Sequence, residues 1–270
     1  VSLPWNKSLH LHVGTQAVQG TLRPAWARHK VLARSSHAID PSNMGHDDAT
    51  PLTAIDAVLS ELKASAPGRD SRLNVVLADA HIHFDVVAGD YRDASERQLQ
   101  SIATACIAEL LGDMAVGQVV RWQLQPDLHH LLICSIATQE IESMVKAASR
   151  HGLSLASLQP DFCMQWNRHA EGMSNGTSVF ATTNGDRAMI ACVLSGTVTA
   201  LSAGLCIEDE YNVQTNPPAK HPLDSRADRL LASNGLDISS VSSFVLVAPE
   251  FSERGLDPRW TIFRPDQEAS

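Results

Sequence analysis

No long apolar run, no cluster of positive charge and no paired cysteine occurs in this sequence, and each lack removes a class of function. No segment approaches the roughly 20 apolar residues that a membrane-spanning helix needs. The opening residues VSLPWNKSLHLHVG have neither the charged start nor the continuous apolar stretch of a signal peptide. Direct insertion into a membrane is therefore not expected. Lys and Arg total 21 against 30 Asp and Glu, a formal net charge of -9, and no basic run interleaves with aromatics. Nucleic acid is not an expected partner, because neutralising phosphates takes a clustered positive surface. Cys106, Cys134, Cys163, Cys192 and Cys206 stand singly in apolar stretches, with no CxxC pair. An odd number in such places reads as reduced core thiols of a cytosolic protein. Thiols in apolar surroundings titrate high and are inert as nucleophiles, and neither Ser195 nor Ser202 lies in a G-x-S-x-G elbow.

What is present is 270 residues of which 44% are hydrophobic, enough to bury one large or two closely joined domains. Leu9, Leu11 and Val13 alternate with His10 and His12, the period of a half-buried strand. VQGTLR and ARHKVLAR extend this into a three-strand meander turning at Pro24, followed by a polar stretch from Ser35 to Thr50. Leu52, Ile55, Val58, Leu59 and Leu62 then recur at helical spacing behind Pro51. Leu73 to Asp79 reads as a central strand covered on both faces. From Ala80 to Pro160 the pattern is strand, helix, two strands, helix, strand. In its first helix Leu99, Ile102, Cys106 and Leu110 are the expected buried face, and Gly152 caps the second. The last third opens with TSVFATT, the turn residues Asn184 and Gly185, RAMIACVL, the turn Ser195-Gly196, and TVTALSAG. A helix ending at Asn234-Gly235, the strand SSFVLVAP and a closing strand RWTIFRP complete it, with 208–221 as a loop carrying the acidic tract Glu208-Asp209-Glu210.

The order of meander, helix, buried strand, small inserted module, then a second meander with helix and strand resembles the duplicated halves of the actin-like ATPase superfold. The inserted module is similar to that of PilM and of the cytoplasmic domain of GspL, platform proteins of type IV pili and type II secretion. The resemblance is carried by LNVVLADAHIHFDVV, GLSLASLQPDFCMQWNRH and TSVFATTNGDRAMIACVLSGTVTALSAG. It implies an α/β fold of two RNase H-like mixed-sheet halves: residues 1–79 as the first half, 80–160 as the inserted module, and 161–270 as a truncated second half.

Active members of that superfold hold ATP between two hairpins, each with an acid and with glycines that admit phosphates. Here the first hairpin reads His12-Val13-Gly14-Thr15-Gln16, with His in the place of the acid, so Gly14 and Thr15 are the residues carried over. The second reads Ala181 to Asp186 without an Asp-Gly-Gly loop, leaving Gly185 and Asp186 as its degenerate counterparts. No glycine pair to receive adenosine is evident. The resemblance thus implies the fold without the ATPase and without a bound cofactor. The expected role is a non-catalytic scaffold in the cytoplasm, held at the inner membrane through a protein partner of a pilus or secretion assembly.

An enzyme is the competing reading, either a divergent ATPase or a metal-dependent hydrolase. For the latter, Asp79-Ala80-His81-Ile82-His83 puts two His at i and i+2, which on a strand project from one face and could share a metal. Amidohydrolases with such a pair need a barrel of about 250 residues, and too few residues follow His83 to supply one. His10 and His12 have the same spacing on the first strand.

Overall fold

The structure, a computed structural model, describes residues 7–24, 30–39, 51–65, 72–206, 220–248 and 255–264. The acidic tract 208–210 lies outside them. The chain divides into two compact units. One comprises Val1–Ile82, Gly117–Val119 and Ile136–Asp161, and the other His83–Val116, Val120–Ser135 and Phe162–Ser270.

The first unit is built on β1 (Lys7–Val13), β2 (Ala17–Pro24), β3 (Ala33–Ala38), β4 (Arg72–Leu77) and β8 (Ser154–Pro160), in the order β3-β2-β1-β4-β8. The meander is antiparallel, and β1, β4 and β8 run parallel. Helix α1 (Leu52–Ser65) buries Ala54, Ile55, Val58, Leu59 and Leu62 against it. The helix comes down directly over Gly20 of β2, where an added Cβ would stand 2.5 Å from Val58 Cγ1 and 2.6 Å from Leu62 Cδ1. Helix α3 (Thr138–Arg150) packs on α1 and β8, and Arg150 Nη2 and His151 Nε2 reach Asp56 of α1 at 2.6 and 3.1 Å. As expected, α3 stops at Gly152, whose φ of 64° turns the chain so that Gly152 and Leu153 N–H groups bond the carbonyls of Ser149 and Ala148.

Three local expectations need correction here. The third strand lies at Ala33–Ala38, not over 27–34, and so takes in the start of the polar stretch that begins at Ser35. It is a polar edge strand: Ser35 and His37 turn toward α1 and bond Glu61 at 2.7 and 2.8 Å, so no apolar alternation marks it in the sequence. β4 is not covered on both faces: Leu73, Val75 and Leu77 are buried, Asn74 and Val76 only half so, and Arg72 is exposed. And β8, expected as the last strand of the inserted module, is the fifth strand of this sheet.

In the second unit β9 (Thr177–Asn184), β10 (Arg187–Leu194), β11 (Thr197–Leu205), β12 (Val241–Val247) and β13 (Trp260–Phe263) take the order β11-β10-β9-β12-β13. Strand for strand this is the order of the first sheet, with the same antiparallel meander and the same two parallel pairings. The duplication expected from the element order is present. One face packs on α5 (Pro222–Ser233) through Val179, Ile190, Leu223, Leu231 and Leu246. The other meets Phe162 and Trp166 of α4 (Asp161–His169), whose rings lie edge-on to Phe180 at 5.7 and 5.6 Å. β9 is therefore buried along almost its whole length.

A third sheet, of order β5-β7-β6, consists of β5 (His83–Ala88), β6 (Gln118–Leu124) and β7 (His130–Ala137) and is covered by α2 (Glu96–Leu111). The buried stripe of α2 is Leu99, Ala103, Ile107 and Leu111, with Ile102 and Cys106 at its flank and Leu110 exposed. Leu99 is buried as expected, and beyond it the buried stripe runs one position later than the expected Ile102, Cys106 and Leu110. Ala103 at the centre admits the helix close to the sheet, and alanine carries too little apolar signal to mark the stripe. Phe84 and Val86 of β5 pack against the cluster around Phe162 and Phe180. Beside them the β10–β11 ladder is irregular at Cys192/Val193, and the Val198 N–H is taken by the buried Gln125 Oε1 at 3.2 Å.

Candidate functional site

In open α/β sheets ligands sit beyond the carboxyl ends of parallel strands. In the first unit these are the ends of β1, β4 and β8. The β1–β2 hairpin closes through Gly14 N–H to Ala17 carbonyl at 2.9 Å, which leaves Thr15 and Gln16 at the tip. Gly14 is buried and Thr15 half-buried. The Ala78 N–H, just past β4, bonds the Val13 carbonyl at 2.8 Å, so the two strand ends are tied together. His12, the residue in place of the acid, has Nε2 3.7 Å from Asp161 Oδ2. That distance suits an ion pair when the imidazole is protonated and is too long for a hydrogen bond.

Asp161 is the residue that reading the sequence missed. Its side chain is only 6% exposed, and it occupies the first position of α4, where the helix dipole favours a carboxylate. Asp79 stands likewise just past β4. The hairpin brings no acid, yet neighbouring strand ends do. The available signal was an Asp between a strand ending in Pro160 and a helix, the place where parallel strands deliver side chains to a common edge.

The β9–β10 hairpin, in the second unit, holds the other two candidates. Asn184 pairs with Arg187, so the two-residue turn is Gly185-Asp186 and not Asn184-Gly185. Gly185 takes φ 61°, which a first turn position of this hairpin type requires. The Asp186 carbonyl accepts the Cys206 N–H at 2.6 Å, fastening the turn to the end of β11. Buried Cys206 has its thiol pushed up to about 11 chiefly by burial, as an inert core thiol should.

His81 and His83 do not share a strand. Asp79–His81 is a 3₁₀ turn and the strand begins at His83, so the i, i+2 projection does not apply. His81 Nδ1 instead lies 3.6 Å from Glu140 Oε1 of α3. Among the described residues no three His, Cys, Asp or Glu side chains are grouped to hold a metal ion. No described helix is long and apolar enough to cross a membrane.

A Bacteroides thetaiotaomicron protein described as having an actin-like ATPase fold and unknown function is 10% identical, with TM-score 0.62 over 98% of this chain and 95% of that one. The fold is the actin-like ATPase fold. The PilM subunit fold seen in the PilM–PilN type IV pilus biogenesis complex is matched at 11% identity, with TM-score 0.64 over 97% of this chain and 89% of that one. The cytoplasmic domain of EpsL, an inner membrane component of the type II secretion system of Vibrio cholerae, gives 12% identity and TM-score 0.57 over 98% and 92%. Identities this low establish the actin-like fold and nothing finer. No protein-family model and no curated protein sequence matches the chain.

Proposed function

We propose that this chain is a non-catalytic scaffold or adaptor of a bacterial envelope-spanning pilus or secretion assembly, cytoplasmic and held at the inner membrane by a protein partner. Support for the assembly comes from the likeness to a PilM–PilN complex and to an inner membrane secretion component. Support for the lack of catalysis comes from the His12–Asp161 pair. Magnesium prefers carboxylate and water oxygens, and phosphoryl transfer rests on metal-held phosphates and an oriented nucleophile. Here the hairpin offers an imidazole, the nearby carboxylate faces that imidazole, and the Gly14 N–H is committed to Ala17. These residues do not fit a magnesium-held phosphate chain.

The test is turnover of ATP by purified protein with magnesium. Background-level hydrolysis is expected, and partner binding should survive Thr15→Ala and Asp186→Ala. Turnover that is abolished by Asp161→Asn or Asp186→Ala, with the fold intact by circular dichroism, would replace the adaptor with a divergent ATPase.

A further inference from the structure

Unlike β9, which is buried on both sides, the first sheet has one covered face and a second, more open one whose residues are half-buried or exposed. α1 covers the side of Leu11 and Gly20. Side chains of the opposite side fall in cross-strand rows. Arg23, Ser8 and Arg72 are direct partners on β2, β1 and β4. Arg34, Thr21, His10 and Asn74 form the next row, from β3 to β4.

The composition of this sheet departs from that of the whole chain. Asp and Glu number 30 in the sequence, yet β1, β2, β3, β4 and β8 contain none. Among the described residues, Asp79 and Asp161 follow the carboxyl ends of β4 and β8, and Glu61 of α1 meets β3 from the covered side. Arg34 and Arg72 are exposed, and among the described residues neither is in an ion pair. His10, in the second row, has its pKa held below its ordinary value first by burial and then by the Arg23 guanidinium. Its Nε2 lies 3.0 Å from the Ser8 hydroxyl.

We propose that this open face of the first sheet docks an acidic segment of a partner protein, laid across β2, β1 and β4 between Arg23, Arg34 and Arg72. Charge complementarity selects this occupant. Single-stranded nucleic acid would want aromatic platforms for its bases, and the five strands contain no Phe, Tyr or Trp. A bilayer would want apolar side chains to bury, and the two rows offer Ser, Thr, Asn, His and Arg. Guanidinium groups carried on a sheet, with hydroxyl and amide donors between them, suit the carboxylates of an Asp- or Glu-rich chain. An acidic docking segment presupposes the adaptor role proposed above.

A fluorescein-labelled decaglutamate peptide is the probe, with binding to the full chain followed by anisotropy at low salt. Binding is expected, weakened about tenfold in the double variant Arg34→Glu/Arg72→Glu and unchanged in Arg187→Glu/Arg229→Glu, which alters net charge equally from exposed sites of the second unit. The His10 titration midpoint, followed by NMR, should rise on addition of the peptide, because a neighbouring anion favours the imidazolium. Equal weakening in both double variants, or an unmoved His10, would overturn the site. So would tighter binding of a thymidine oligonucleotide, or of vesicles of equimolar phosphatidylcholine and phosphatidylglycerol. ATP turnover is measured on the same preparations: hydrolysis alone sinks the adaptor reading, and peptide failure alone sinks this face.

Discussion

Gly20 and Gly204 show how the meaning of one residue type depends on what lies above it. Over Gly20 stand Val58 and Leu62, both buried in the helix–sheet core with nowhere to move. Gly20→Ala is expected to cost about 1–3 kcal/mol by overpacking, read from urea unfolding, with Val58→Ala in the same chain recovering part of the loss. Above Gly204 lies the guanidinium of Arg226, the far end of a long side chain that bonds the Ala203 carbonyl at 2.7 Å. There the neighbour can swing aside, so Gly204→Ala should cost less. Ser195, by contrast, sits at φ 48° in the β10–β11 turn, a left-handed conformation that Asn tolerates better than Ser. Ser195→Asn is predicted to stabilise by roughly 0.5 kcal/mol, visible as a Tm rise of about 1–2 °C. None of these contacts could be read from the sequence, since a glycine beside apolar neighbours looks alike whether a helix or open solvent lies over it.

Elements were legible where their pattern was apolar and periodic, and were lost where polar side chains carried the packing. α1, α5 and the β9–β11 meander announce themselves in spacing and turn residues. β3 does not, because its inward side chains are Ser35 and His37, which satisfy Glu61 in place of filling a core. β13 was legible as a strand but not the acid that anchors it. Asp224 of α5 is only 1% exposed and accepts from Trp260 Nε1 at 2.7 Å and from the Asp257 N–H at 3.1 Å, while Arg259 spans it and Asp228. The same Arg259 lies 4.1 Å over the Phe244 ring. Asp224→Ala would leave a buried indole N–H and a guanidinium short of their acceptor, at an expected cost of about 3 kcal/mol. Chemical denaturation with Trp fluorescence as one probe checks it. Acid should act on the same anchor. Burial pushes the Asp228 carboxyl up, but hydrogen bonds from Lys220 and Arg259 outweigh it and hold the pKa below its ordinary value of 3.8. The stability this contributes is present above about pH 4 and is lost as pH falls through the folded value. Asp228→Asn should flatten that part of the acid-unfolding curve.

At the scale of the molecule, the duplication was legible because each half repeats the sequence of element types, and element order constrains the pairing of a meander. Sheet membership across a long insertion was not. Nothing in SLASLQP distinguishes a strand that closes the small α/β module from one that returns to β4, since both want the same alternating half-buried pattern. The candidate site suffered in the same way. Gly14, Thr15, Gly185 and Asp186 could be placed at hairpin ends because hairpins are local, whereas Asp161 reaches His12 only through the parallel return of β8.

That return has a consequence for how the protein is made. β4 ends at Leu77 and its parallel neighbour β8 begins only at Ser154, with all of the third sheet in between. At roughly 5–20 residues per second, a ribosome needs on the order of 4–15 s to pass from one strand to the next. Throughout that interval the backbone N–H and C=O groups along one edge of β4 lack their β8 partners and are open to pairing with another chain. Nascent chains stalled before residue 154 should therefore recruit chaperones that chains released after residue 160 no longer hold, a difference that ribosome-bound crosslinking would record.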